Sequence, residues 1–493
     1  MATPTGSGAR GVAVPARPGA PTTGPAVGPA VGAAAGPAAG PAARRSPGAL
    51  SPRGLRARLA RASRTAPGRL RLAGALLTVL TVAFGGLTTW QLESRAQAAE
   101  RVVSYSQPLS QAAADINRSL ADADTTAASG FLLAGTEPKA VRDRYEQDLS
   151  TAAKLIADAA ARTTSSSPAQ VWLAKLNQQL PVYAGLVETA RADNRLGIPL
   201  GGAYLRYASE QMRTVLLPAA AQLAAIENDE LAGDYAEAKA APWGAYVLAV
   251  ITLAALAWVQ VLLFRRTNRV FNPGLLGATA AVLAGALWLA VTGLTTNAAL
   301  KDSDRDGATP LRALNAARVD VLTARLAENL HYVARGSTAK YADQWSKTTD
   351  HLSKDVPKDT PEDRRTGTLP DAFRLAPGDA QGVIGKAAQQ YDEWRTRHDA
   401  AKKLETENAD YQGALDATVT AKPEDAPKTA DAAFNTTDQL LAQAAGIEQD
   451  RFRAAAKGAD GDLRAAAVAV AVLGLVAAAA ALRGLGRRLA EYR

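Results

Sequence analysis

Few side chains in this sequence have the spacing that catalysis or metal binding requires. Only three histidines occur, His331, His351 and His398, and none lies at metal-ligand spacing from another. Cysteine is absent, which removes thiolate ligands, disulfides and thiol nucleophiles together. The stretch "DSDRDG" at Asp302 to Gly307 begins like a calcium loop, yet the position that needs a bidentate glutamate is Ala313, and Pro310 interrupts the loop. No glycine-rich phosphate loop or nucleophile elbow is present. The residues therefore predict no enzyme, no cofactor and no metal. What remains is a repeated acidic phrase, "LAAIENDEL" from Leu223 and "QAAGIEQDRF" from Gln443, each about sixteen residues ahead of an apolar run. Its Glu227, Asp229, Glu448 and Asp450 are candidate coupling or interaction residues. Ile226 and Ile447, with Leu223 and Ala444, are expected to face a helical interior. The alternative is that the four acids form an ordinary solvated face.

The elements that must position these acids are set by hydrophobicity. Leu72 to Leu92, Trp243 to Phe264, Gly274 to Thr296 and Ala465 to Leu482 carry no charge. About twenty apolar residues span the hydrocarbon core of a bilayer; the first three runs reach that length, and the fourth is shorter and mostly alanine. The prediction is an all-α, polytopic membrane protein with four transmembrane helices, at 72–92, 243–264, 274–296 and 465–482. The net charge of +9 suggests nucleic acid until it is sorted by segment. Segments 1–71, 265–273 and 483–493 hold 18 basic residues against one acidic, whereas 93–242 and 297–464 are mildly acidic. That is the positive-inside pattern. It places both termini and the 265–273 loop in the cytoplasm, with Arg265, Arg266 and Arg269 facing a cytoplasmic partner, and it leaves no role for nucleic acid. An A-x-A-like site at Ala96 to Ala98 follows the first run, but its basic lead is far longer than that of a signal peptide, so an uncleaved anchor is expected. Residues 1–50 are a Pro/Ala/Gly tract that cannot bury enough surface to order itself. Residues 51–71 form a basic juxtamembrane segment.

The two long segments read as a tandem duplication. In the first, "SGFLLAGTEPKAVRDRYEQDLSTA" stops a helical pattern at Gly135 and restarts it after Pro138; in the second, "NLHYVARGSTAKYADQWSKTTDHL" does so around Gly336, with Tyr145 answered by Trp345. "QQLPVYAGL" at Gln178 is matched by "QQYDEWRTR" at Gln389. The second copy is longer, and its Pro-rich stretch "VPKDTPEDRRTGTLPDAFRLAPGD" is where the extra residues are expected. Leu109, Ala113, Ile116, Leu120, Ala123 and Ala127 form a heptad-like seam, with Val319, Leu322, Leu326, Leu330 and Val333 nearly repeating it. Breaks at 135–138, 163–168 and 194–199 give four helices, with Ser167 as a cap before Pro168. Each segment, 93–242 and 297–464, is thus an extracytoplasmic four-helix bundle, and the first helix is expected to run on unbroken from the membrane. Small residues at helical spacing, Gly277, Ala281 and Gly285 on the third span and Ala467, Ala471 and Gly474 on the fourth, favour close packing in lipid.

Each bundle resembles the four-helix-bundle sensor domains of chemoreceptors and sensor kinases, with "GFLLAGTEP" similar to their first corner. Two such units in tandem, with a short cytoplasmic link and no signalling domain, resemble the actinobacterial GlnX family. The resemblance implies a multi-pass cell-membrane protein that passes an amino-acid or binding-protein signal from the solute-binding protein GlnH to the cytoplasmic Ser/Thr kinase, protein kinase G. Two other classes stay open: a passive cell-envelope scaffold that binds wall or division factors, and a transporter. Transport is disfavoured by the lack of ionisable groups at bilayer depth, where Gln260 is the most polar side chain of the second span.

Overall fold

The computed structural model describes residues 66–133, 137–267, 272–354, 361, 364–420, 424–456 and 459–490, with the backbone alone at 66–67, 266–267, 454–456, 459–462 and 488–490. The tract 1–50, most of the basic segment 51–71, the corner at Gly135 and Thr136, Arg269 and residues 491–493 lie outside the described residues.

The first helix runs unbroken from Ala66 to Leu132: α1 (Ala66–Arg101), a π-turn (Val102–Ser106) and α2 (Gln107–Leu132). At 1.5 Å per residue it is about 100 Å long. The chain returns in α3 (Lys139–Arg162), rises in α4 (Ala169–Arg195), and descends through α5 (Leu200–Gln211), a second π-turn (Met212–Leu216) and α6 (Leu217–Lys239) into the apolar α7 (Trp243–Thr267). The seam from Leu109 to Ala127 is buried throughout, because every member falls on the stripe that α3, α4 and α6 cover. Ser167 Oγ accepts from the Ala169 amide at 3.2 Å, so the expected cap opens α4.

The second half repeats this plan with α8 (Pro273–Ser303), a π-turn (Asp304–Ala308), α9 (Thr309–Val333), α10 (Lys340–Leu352), α12 (Asp379–Thr406), α14 (Ala430–Ala456) and the apolar α15 (Ala459–Ala490). Its additional residues do not all fall in the Pro-rich stretch. α10 is 13 residues against 24 in α3, and the short α11 (Thr368–Leu375) packs on α9 beyond its end. A further insertion carries α13 (Tyr411–Thr418) between α12 and α14. Leu369 and Ala372 of α11 are buried in the second core, so the inserted helix supplies apolar surface that a full-length α10 would have supplied.

Among the described residues, four helices are long and apolar enough to cross a membrane. α15, the weakest by sequence, packs against both α1 and α8, because its small residues let backbones approach. A Cβ added to Gly474 would lie 3.0 Å from the Cα of Gly85, and one added to Gly274 would collide with Gly484. Gly277 faces Ala480, and Gly285 faces Phe84. Gln260 of α7 donates to Thr279 Oγ1 of α8 at 3.3 Å. Val79, Val250, Trp258, Leu287 and Val468 stay exposed on the outside of this group, as lipid-facing side chains must. Leu92, Ala96, Ala98, Leu231, Leu300, Phe452 and Leu463 close a buried neck between the apolar helices and the two bundles. The A-x-A stretch is therefore the interior of a continuous helix.

The bundles also pack on each other, α2 against α9. Thr125 Oγ1 donates to the Leu322 carbonyl at 3.0 Å, and Asn329 Nδ2 to Ser129 Oγ at 2.7 Å. Across the same face Arg144 bridges Asp122 at 2.8 Å and Asp438 at 3.2 Å, and Arg318 reaches Asp438 at 3.3 Å. Burial, with the Asp122 carboxylate beside it, pushes the Asp148 carboxyl well up.

Candidate functional site

The repeated phrase sits opposite the π-turns. Val102–Ser106 and Asp304–Ala308 occupy the same place in each half, where the helix leaving the apolar zone enters its bundle. A π-turn inserts one residue into the α-helical ladder, and such turns recur at functional positions. α6 packs against the first and α14 against the second. Glu227 is 1% exposed and its Oε2 has no hydrogen-bond partner among the described residues; burial, with Glu230 nearby, pushes its carboxyl up to about 7. Glu448 is fully buried, its Oε1 accepts from Arg451 at 3.1 Å, and its Oε2 has no partner among the described residues. Burial raises it, Arg451 opposes, and Asp306 of the π-turn adds to the rise.

The phrase therefore divides. Glu227 and Glu448 point inward, whereas Asp229 and Asp450 are exposed, the latter within 3.7 Å of Arg453. Two residues along an α-helix is a rotation of about 200°, so the two acids of each phrase cannot share a face. Leu223 and Ala444 are buried, Ile226 and Ile447 are half-buried, and the closing Leu231 and Phe452 fill the neck. A wholly solvated acidic face does not describe these residues.

A second pair of buried acids lies toward the far end of the bundles, and neither was singled out from the sequence. Asp124 on α2 accepts from Tyr183 Oη at 3.0 Å and Ser209 Oγ at 2.9 Å. Burial outweighs those bonds and pushes its carboxyl up to about 7. Glu328 on α9 accepts from Trp394 Nε1 at 3.0 Å and Arg325 Nη1 at 2.5 Å, and pairs with His398 Nδ1 at 2.8 Å. Burial alone would raise Glu328, but Arg325, His398 and Trp394 hold it down at about 2. Tyr183 and Trp394 are fully buried and hold the same place in the matched "QQLPVYAGL" and "QQYDEWRTR" stretches. Each half thus sets an aromatic donor against a buried acid, with burial raising the Asp124 carboxyl and charged partners lowering that of Glu328. A signal was present in "SLADADTTAASGF", where Asp124 adjoins the apolar seam.

The histidines serve as partners of acids: besides His398, His331 meets Glu405 at 2.7 Å and His351 meets Asp320 at 2.9 Å. Among the described residues no cluster of His, Asp or Glu could hold a metal, and "DSDRDG" is helical. At the opposite end of the molecule, Arg265 is exposed near the end of α7; the side chain of Arg266, and all of Arg269, lie outside the described residues. Asn272 caps α8 by accepting from the Gly274 amide at 3.1 Å and donates through Nδ2 to the Gly484 carbonyl of α15 at 2.9 Å. The start of α8 is thus fastened to the last helix.

Fold and site together define a helical multi-pass membrane protein built from two copies of one span–bundle–span unit. Residues 98–236, the first bundle, match the family described as "Actinobacterial sensor domain", which supports an actinobacterial sensor protein. No curated protein and no solved structure matches the chain.

Proposed function

We propose that the chain relays an extracytoplasmic signal across the cell membrane to a cytoplasmic partner, with the bundles outside and both termini, the 265–273 loop and the end of α15 inside. The observation that carries this is the helix from Ala66 to Leu132, interrupted only by a π-turn against which a buried glutamate with an unpartnered Oε2 among the described residues is set, and the same arrangement in the second half. A binding event on either bundle that shifts α6 or α14 moves the surface packed against a π-turn. The displaced helix then carries the shift into the Asn272–Gly484 contact. An amino-acid or solute-binding-protein input and a Ser/Thr kinase output fit this reading; the sensor-domain match supports the input side. A passive scaffold binding wall or division factors is the second reading. Co-purification of a solute-binding protein and a kinase with the detergent-solubilised chain favours relay, and recovery of wall-synthesis proteins alone favours the scaffold.

Topology is tested with cysteines, against a parent that contains none. A cysteine at the exposed Ser166 or Ser337 is expected to react with an impermeant thiol reagent on wall-permeabilised cells, and one at Ser46 or Thr267 is not. Ser353 is 4% exposed and unsuited as a probe. Labelling at Thr267 overturns the orientation.

Replacing Glu227 and Glu448 together by Gln is expected to leave insertion intact, because both lie outside the apolar spans, and to weaken the partner's response. A buried polar contact is worth about 1–3 kcal/mol, the same order as an allosteric coupling of about 1–3 kcal/mol. Unchanged ligand-dependent output in the double variant refutes a coupling role for these two residues.

A further inference from the structure

Between the bundles, just beyond the neck, lies a cleft of about 340 Å³, lined by both halves of the duplication. Its volume is within the range of small-molecule sites, about 300–1,000 Å³. Much of the lining is alanine and leucine, and the polar groups are chiefly carboxamides: Gln111 and Asn117 on α2, Asn228 on α6 and Asn315 on α9. A carboxamide offers one carbonyl acceptor and two N–H donors, the same set as a peptide unit, and so pairs with a peptide main chain reciprocally. Ser110 Oγ lies 2.7 Å from Asn228 Oδ1 and fixes that side chain in place.

Two opposite charges mark the ends. Arg312 and Asp320 both line the cleft, eight residues apart on α9, which is about 12 Å along the helix axis. Arg312 commits Nε to the Ala308 carbonyl at 3.2 Å and Nη2 to Thr309 and Asp304, leaving Nη1 without a partner among the described residues. Asp320 accepts from Thr368 Oγ1 at 2.7 Å and pairs with His351 Nδ1 at 2.9 Å, both through Oδ2, leaving Oδ1 without a partner among the described residues. A cation and an anion at this separation suit a ligand with a carboxylate at one end, an ammonium at the other and amides between. An extended tripeptide measures about 10 Å between its charged ends; a free amino acid is too short to meet both.

We propose that this cleft binds short unblocked peptides of about three residues, with the C-terminal carboxylate on Arg312, the N-terminal ammonium on Asp320 and the main chain on the carboxamides. Binding of this kind does not depend on the relay and is read separately from any output.

The test is isothermal titration of the full-length protein in detergent with trialanine, N-acetyl-trialanine, trialanine amide and alanine. Trialanine is expected to bind, and blocking either end or using alanine to weaken binding at least about tenfold. Arg312→Gln should abolish the difference between trialanine and its amide while keeping that between trialanine and the acetylated peptide. Asp320→Asn should do the reverse. Each variant should bind the peptide blocked at its own lost contact as the parent does, which separates loss of a contact from loss of the fold. No binding of trialanine up to about 10 mM, equal affinity for free and blocked peptides, or alanine binding as tightly as trialanine would each overturn the proposal.

Discussion

Arg325→Met is expected to destabilise the second bundle by about 3–5 kcal/mol, the cost of leaving a buried charge without its counterion. Arg325 is fully buried, pairs with Glu328 at 2.5 Å and Asp431 at 2.8 Å, and lies over the Phe434 ring at 5.6 Å. Without it, Glu328 keeps only Trp394 and His398 and must take up a proton or draw in water. Removing the acid as well, in Arg325→Met with Glu328→Leu, should recover most of the loss, because a buried ion pair and a well-packed apolar pair are often close in net stability. Thermal melts read by tryptophan fluorescence include this site, since two of the seven tryptophans are in it: Trp394 bonds Glu328, and Trp345 stacks on His398 at 3.8 Å between ring centres. A single-variant loss below about 1 kcal/mol would contradict the burial of the pair. Arg144, a third exposed and shared between Asp122 and Asp438, is expected to matter less when replaced, because water reaches what it leaves behind.

Acidification from pH 8 to pH 5 should stabilise the first bundle. A carboxyl raised in the folded state binds a proton there that the unfolded chain has released, so its contribution is complete below the unfolded value of about 4 and is lost as pH rises through the folded value. Asp124 and Glu227, both at about 7, place that loss between pH 4 and 7. For the fully buried Asp124 the expected gain over this range is about 2–3 kcal/mol. The groups facing it are Tyr183, Ser209 and, more distantly, Arg213, of which none supplies a direct counterion. Glu328 runs the other way: held at about 2, its contribution is present above about 4 and lost only as pH falls further. Circular-dichroism melts at the two pH values check this, with Asp124→Asn expected to reduce the parent's gain and Glu227 and Asp148 supplying the rest. A parent that melts at the same temperature at pH 5 and pH 8 refutes it.

Several features follow from the sequence because their cause is local. An uncharged run of about twenty residues has one low-energy place in a bilayer, and the repeat of apolar residues by three and four imposes a helix with one buried stripe. The spans, the bundle helices, the seam from Leu109 to Ala127, the cap at Ser167 and the duplication were all legible for that reason. The repeated phrase was legible too, and its periodicity required Glu227 and Asp229 to lie on different faces.

Which face was buried only the tertiary structure decided, because that depends on what lies across from α6 and α14. Each meets a π-turn, a shift of backbone register that no residue type in "VVSYS" or "DRDGA" announces. The same holds for the partners of Glu328, since Trp394 and His398 follow it by about seventy residues and are brought to it by the packing of α12 on the bundle. It holds for Asn272 and Gly484, more than two hundred residues apart yet joined by one hydrogen bond. Periodicity is read within one or two helical turns. The state of a lone buried charge is set by whichever distant side chains the fold brings within hydrogen-bonding distance of it.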